Sequence, residues 1–105
     1  MVESRSAIKK IIKTYLKVIA ENNIKIEKAY LFGSYAHDNY REDSDIDIAI
    51  ISQDFTGDRF EDRRRVVPLR RKIDRRLEPI PYLPENFKEN DPLVIEILRN
   101  GIAIK

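Results

Sequence analysis

Ile8, Ile11, Ile12, Tyr15, Leu16 and Ile19 recur at helical spacing, while Lys9, Lys10, Lys13 and Lys17 fall between them. That pattern predicts an amphipathic helix with one apolar stripe and one solvated face, with Ser6 as its N-cap and Asn22-Asn23 as its stop. The period then changes. "KAYLF", residues 28–32, is short, apolar and aromatic and ends at Gly33, which predicts a buried strand. "DIDIAIIS", residues 45–52, predicts a second strand that is acidic only where the chain enters it. The polar stretch between them, 33–44, is too long for a tight hairpin turn and predicts a short helix or structured loop. From Gly57 to about Asp74, Phe60, Val66, Val67, Leu69 and Ile73 punctuate an arginine-rich run, which predicts a second amphipathic helix bent near Pro68. "RRLEPIPYL", residues 75–83, predicts a third strand, and Pro79 and Pro81 place it at a sheet edge or strand end. Asp91 as N-cap, Pro92 in the first turn and Gly101 after "LVIEILRN" frame a last helix, and the tail "IAIK" adds a short strand or packs down.

This order of elements predicts an α/β (α+β) fold, a small mixed sheet packed with helices, formed by residues 1–105 as one domain. Charged residues make up 36% of the chain but nearly cancel, leaving a net charge of +2, so the total does not by itself announce a nucleic-acid binder. With no cysteine and His37 as the single histidine, thiolate and histidine-rich metal sites are excluded, and a reducing compartment is the natural setting. Lysines interrupt every apolar stretch of the first 23 residues, so neither a signal peptide nor a membrane span is expected, and the expected location is the cytoplasm.

Side chains alternate along a strand, so Asp45 and Asp47 share a face with Ala49 and Ile51, while Ile46, Ile48 and Ile50 occupy the other. Two carboxylates on one face repel unless they are hydrated or neutralised. A strand end with wet acids is the commoner meaning of such a pair; a divalent cation such as Mg²⁺ is the neutraliser suited to oxygen ligands. Gly33-Ser34, eleven residues before Asp45, weighs toward the cation. Glycine admits close backbone approach to a ligand, and serine at a turn offers hydroxyl and amide to a phosphate. A phosphate cradle beside an acidic pair is the equipment of phosphoryl or nucleotidyl transfer.

"LFGSYA" followed by "SDIDIAI" resembles the minimal nucleotidyltransferases of the DNA polymerase β superfamily, whose pattern is a hydrophobic residue, Gly-Ser, a spacer of about ten residues and D-x-D. The likeness extends through "RRKIDRRLEPIPYLPENF" and "DPLVIEILRNGI". It implies that Gly33 and Ser34 hold the triphosphate of ATP or another NTP and that Asp45 and Asp47 ligate two Mg²⁺ ions. It also implies a third carboxylate from a later strand that completes the metal site and helps deprotonate the attacking hydroxyl. Glu78, inside the expected third strand, is favoured over Asp74, which stands near the end of the preceding helix beside arginines. Relatives commonly read G-S-x-A-(R/K)-G at the turn, where this chain carries His37 and Asp38 in the last two places. His37 is expected to be an exposed loop residue.

Relatives of this kind often pair with HEPN-type RNase toxins and act as antitoxins, in some cases by adding AMP to a toxin tyrosine. The resemblance therefore implies transfer of a nucleoside monophosphate to a hydroxyl on a HEPN-type partner. A second copy of the chain is another way to complete the acceptor site. Two other readings compete: a catalytically weak binding module that neutralises a partner by covering it, and an RNA-binding accessory domain. The last rests on residues 59–76, which hold nine Lys or Arg against three acids, and is less favoured because no aromatic interleaving accompanies the charge.

Overall fold

The computed structural model describes residues 4–37, 40, 41 and 43–105. Helix α1 (Arg5–Glu21) is capped by Ser4, whose side chain accepts from the Ala7 amide, rather than by Ser6. The earlier start adds Arg5 to the helix, where its guanidinium reaches the Tyr35 and His37 carbonyls at 3.2 and 3.5 Å. The helix ends at Asn22, and Asn23 takes the left-handed backbone that asparagine tolerates, at φ 70°.

Strand β1 (Lys28–Phe32) runs into a single 3-10 turn, Gly33–Ala36, in the segment where the sequence predicts a short helix or structured loop. Strand β2 (Ile46–Ile51) is trimmed at both ends relative to the sequence pattern, so Asp45 stands just outside it. Just past the strand, the Ser52 hydroxyl donates to the Lys25 carbonyl at 2.6 Å. Helix α2 (Arg59–Val66) is shorter than the expected 57–74 span and passes into a 3-10 turn, Val67–Arg70. Pro68 has no amide hydrogen to continue the ladder, which accounts for the break. The Val66 carbonyl at the break accepts from the buried Tyr15 hydroxyl. Strand β3 (Leu77–Tyr82), helix α3 (Pro92–Asn100) with Asp91 as N-cap, and a two-residue strand β4 (Ile102–Ala103) complete the chain.

The sheet order is β3-β2-β1-β4. β1 pairs antiparallel with β2 and β4, whereas β2 and β3 are parallel, joined through α2. The third strand is at the edge, where its prolines predict it. Ile46 N–H donates to the Arg76 carbonyl and Ser52 N–H to the Tyr82 carbonyl, so even-numbered main-chain groups of β3 face β2 and odd-numbered ones face outward. Pro79 and Pro81 occupy outward positions and remove donors from the open edge.

The pleat sorts β2 as its sequence predicts. Ile46, Ile48 and Ile50 pack with the α1 stripe of Ile8, Ile12, Tyr15 and Ile19. Ala49 and Ile51 pack on the other face with Phe32, Tyr82 and the α3 residues Val94 and Ile97. Burial on both faces holds the register of β2 firmly, because a one-residue slip would turn Asp47 into the core. Among the described residues no helix is long and apolar enough to cross a membrane.

Candidate active site

Asp47 is the second residue of β2 and lies half-buried, while Asp45, just before the strand, is exposed. The antiparallel register sets Phe32 opposite Asp47, which brings Gly33, the next residue, against the Asp47 carboxylate. Gly33 has φ +73°, and a Cβ built there would collide with Asp47 Oδ2. Glycine is required twice over at this position, for the backbone angle and for the contact. Ser34 follows in the first turn, half-buried.

The parallel register of β2 and β3 makes Asp47 and Glu78 direct partners, and directly paired residues project from the same face. Burial, then the neighbouring charges of Asp45 and Glu78, push the Asp47 carboxyl up to about 6. The acids at this end of the sheet therefore sense one another. Glu78 is also held by two arginines: Arg63 at 2.9 Å and Arg70 at 3.5 Å. Arg63 donates in addition to the Pro79 carbonyl at 2.9 Å and Arg70 to the Leu77 carbonyl at 2.7 Å, which occupies the outward acceptors of β3.

Asp74 has other work. It receives Arg76 through both carboxylate oxygens, at 2.7 and 3.0 Å, and this hydrogen bonding holds its pKa below the ordinary carboxylate value. Arg76 also donates to the Tyr35 hydroxyl at 3.1 Å, and that hydroxyl donates to the Arg41 carbonyl at 2.9 Å. Tyr35 stacks on Tyr40 with ring centroids 4.5 Å apart. Asp74 thus braces, through Arg76, the far side of the Gly33–Ala36 turn, and Arg5 holds the same turn by its carbonyls. His37 is exposed, with Nε2 3.9 Å from Glu96 Oε1. Asp38 lies outside the described residues.

The structure therefore brings Gly33, Asp45, Asp47 and Glu78 to one end of the sheet and leaves Asp74 in a structural pair. Among the described residues no three acidic or histidine side chains already converge on one point, because Glu78 leans to its arginines. The donor chemistry is of the kind that suits Mg²⁺: Asp45, Asp47 and Glu78 offer oxygen alone, and Asp47 is raised by burial and then by neighbouring charges whose repulsion a cation would relieve. Sequence reasoning missed Arg63, Arg70, Arg76 and Tyr35 as supports of this site. The spacing that could have flagged Arg63 and Arg70 is theirs to each other, seven residues apart and so two helical turns on one face.

The sequence pattern described as "Polymerase beta, Nucleotidyltransferase" matches residues 9–105. No curated protein matches the chain in sequence. Among solved structures, that of a presumed nucleotidyltransferase from Sulfolobus solfataricus superposes with a TM-score of 0.68 at 20% identity, covering 94% of this chain and 80% of the other. That likeness shows the fold, and the family match takes in the glycine-serine turn, the acidic strand and the third strand together. The chain belongs to the polymerase beta nucleotidyltransferase family.

Proposed function

We propose that the protein is a Mg²⁺-dependent nucleotidyltransferase that moves a nucleoside monophosphate, AMP from ATP, to a hydroxyl on a HEPN-type toxin partner. The observation that carries this reading is the pairing of Asp47 with Glu78 across β2 and β3, with Gly33 pressed against the Asp47 carboxylate. Asp45, Asp47 and Glu78 would hold the metal. When bound, Mg²⁺ supplies charge neutralisation for the triphosphate and for the oxygens entering and leaving phosphorus. The Gly33 backbone and the Ser34 amide and hydroxyl orient the triphosphate. The acceptor oxygen bonds to the α-phosphorus as the bond to pyrophosphate breaks, and Glu78, released from Arg63, takes the acceptor proton.

The alternative, a binding module that silences its partner by coverage, draws on the same Glu78. A carboxylate that stays with Arg63 and Arg70 is a weak ligand and a weak base. Incubation with labelled ATP, Mg²⁺ and the partner, followed by intact-mass measurement, separates the two. One added AMP per partner, absent with the Asp45→Asn/Asp47→Asn double variant, is the expected result. A partner that is bound and silenced without any mass change with any NTP would establish the binding module instead.

A further inference from the structure

The outer face of α2 does not behave as an ordinary wet helix face. Asp62 and Val66 point inward: Asp62 is buried and accepts from Thr56 N–H at 2.8 Å, Thr56 Oγ1 at 2.9 Å and Gly57 N–H at 3.0 Å. Outward, at helical spacing, come Phe60, Arg63, Arg64 and Val67. Phe60 is 70% exposed, although Arg64 lies 5.8 Å over its ring. Phe60, Arg63, Arg64, Val67 and Pro68 line a cavity of about 310 Å³. Val67 and Pro68 also border a second cavity, about 420 Å³, walled by Arg70, Arg71 and Arg75. The two cavities adjoin at Val67 and Pro68, the first holding the exposed Phe60 ring and the second walled by arginines. Among the described residues no acidic side chain lines either cavity.

We propose that this surface docks an acidic amphipathic segment of a partner protein, with an apolar side chain seated against Phe60, Val67 and Pro68 and carboxylates on Arg71 and Arg75. Charge complementarity argues for an acidic occupant: Arg71 and Arg75 are exposed beside Arg70 with no acid in the cavity wall. The apolar end argues for a protein segment over RNA. A track for unstacked bases needs successive aromatic platforms, and among the described residues lining the two cavities Phe60 is the one aromatic. An exposed aromatic beside arginines is also the composition that anchors protein interfaces. The proposal does not depend on the transfer reaction, since Phe60, Arg71 and Arg75 are not among the residues proposed to hold metal or nucleotide.

The test is fluorescence anisotropy with a labelled helical peptide that carries leucines at alternating third and fourth positions and glutamates between them. Controls are the same peptide with its leucines changed to serine, the same peptide with its glutamates changed to lysine, and a labelled polyuridine strand. The acidic leucine peptide should bind, and Phe60→Ser and Arg71→Glu/Arg75→Glu should each weaken it about tenfold. Thermal melts of the variants report folding, and the serine peptide probes the apolar contact without altering the protein at all. Absence of binding, equal binding of leucine and serine peptides, or binding indifferent to both variants would overturn the proposal. Tighter binding of polyuridine, with the same dependence on Phe60 and the arginines, would overturn it in favour of a nucleic-acid surface.

Discussion

Asp47 and Asp74 are both carboxylates near the same sheet end, and their surroundings drive them in opposite directions. Burial, with Asp45 and Glu78 nearby, raises Asp47 from 3.8 to about 6, so the folded chain keeps a proton there that the unfolded chain releases. Stability therefore falls as pH rises between those two values, and Asp47→Asn should stabilise the protein at pH 7 by ~1 kcal/mol after allowance for solvent screening, while removing metal-nucleotide binding. Denaturant melts of wild type and variant at several pH values check this, and a variant no more stable at neutral pH would show that the crowding is relieved by water. Asp74 is lowered by Arg76, so its stabilisation is present at neutral pH and is lost as pH falls through its lowered value. Asp74→Asn should cost about 1–3 kcal/mol at pH 7 through loss of the charged hydrogen bonds, yet leave transfer measurable, whereas Glu78→Gln should abolish transfer and keep the fold. Gly33→Ala, which meets both a strained φ and the Asp47 carboxylate, should cost about 1–3 kcal/mol and weaken nucleotide binding along with stability. Paired melts and calorimetry distinguish it from a change that only destabilises.

At the scale of elements, the strands were legible because each carries a pattern that burial enforces. "KAYLF" and the alternation of Ile46, Ile48 and Ile50 against Ala49 and Ile51 map directly onto two packed faces. Pro79 and Pro81 announced an edge strand for the mechanical reason that an inner strand needs their missing donors. Helix ends were less legible. Ser4 and Ser6 are equally good caps in sequence, and the choice follows a tertiary contact, Arg5 with the Tyr35 carbonyl, that no local pattern reveals. The site was half visible: Gly33, Asp45 and Asp47 follow from motif and pleat. The same-face pairing of Glu78 with Asp47 needed the parallel register, and the arginines on Glu78 needed the placement of α2. The two-residue β4 and the two residues after it cover the outer edge of β1, with Ile104 N–H donating to the Ala29 carbonyl at 2.8 Å and Ala29 N–H to the Lys105 carbonyl at 3.1 Å. Truncation after Gly101 should expose that edge, lower the midpoint of thermal unfolding and promote concentration-dependent association, measured by light scattering.

Across the whole molecule, the acidic sheet end and the basic face of α2 meet in one residue, Glu78, because Arg63 and Arg70 contribute both to the outer surface and to its carboxylate. If a docked acidic segment, besides its carboxylates on Arg71 and Arg75, also reached Arg63 or Arg70, every hydrogen bond so diverted would weaken their hold on Glu78. A Glu78 freed in this way would stand beside Asp47, its register partner, where the added negative charge would favour the proposed divalent cation. Linkage then makes the coupling reciprocal: occupation of the α2 face tightens metal binding by the factor by which metal tightens docking. The expected outcome is Mn²⁺ binding, followed by calorimetry, that strengthens about fivefold when the acidic leucine peptide is saturating. Glu78→Gln should erase the effect and tighten peptide binding, because Arg63 and Arg70 then have no carboxylate to leave, and Arg71→Glu/Arg75→Glu should erase it by removing the peptide. Salt separates the two ends further, since exposed arginines are screened over a Debye length of about 8 Å at physiological ionic strength while a half-buried carboxylate pair is screened less. Identical Mn²⁺ affinity with and without bound peptide would show that the arginines stay on Glu78 when the outer face is filled, and that the two ends of this small molecule work independently.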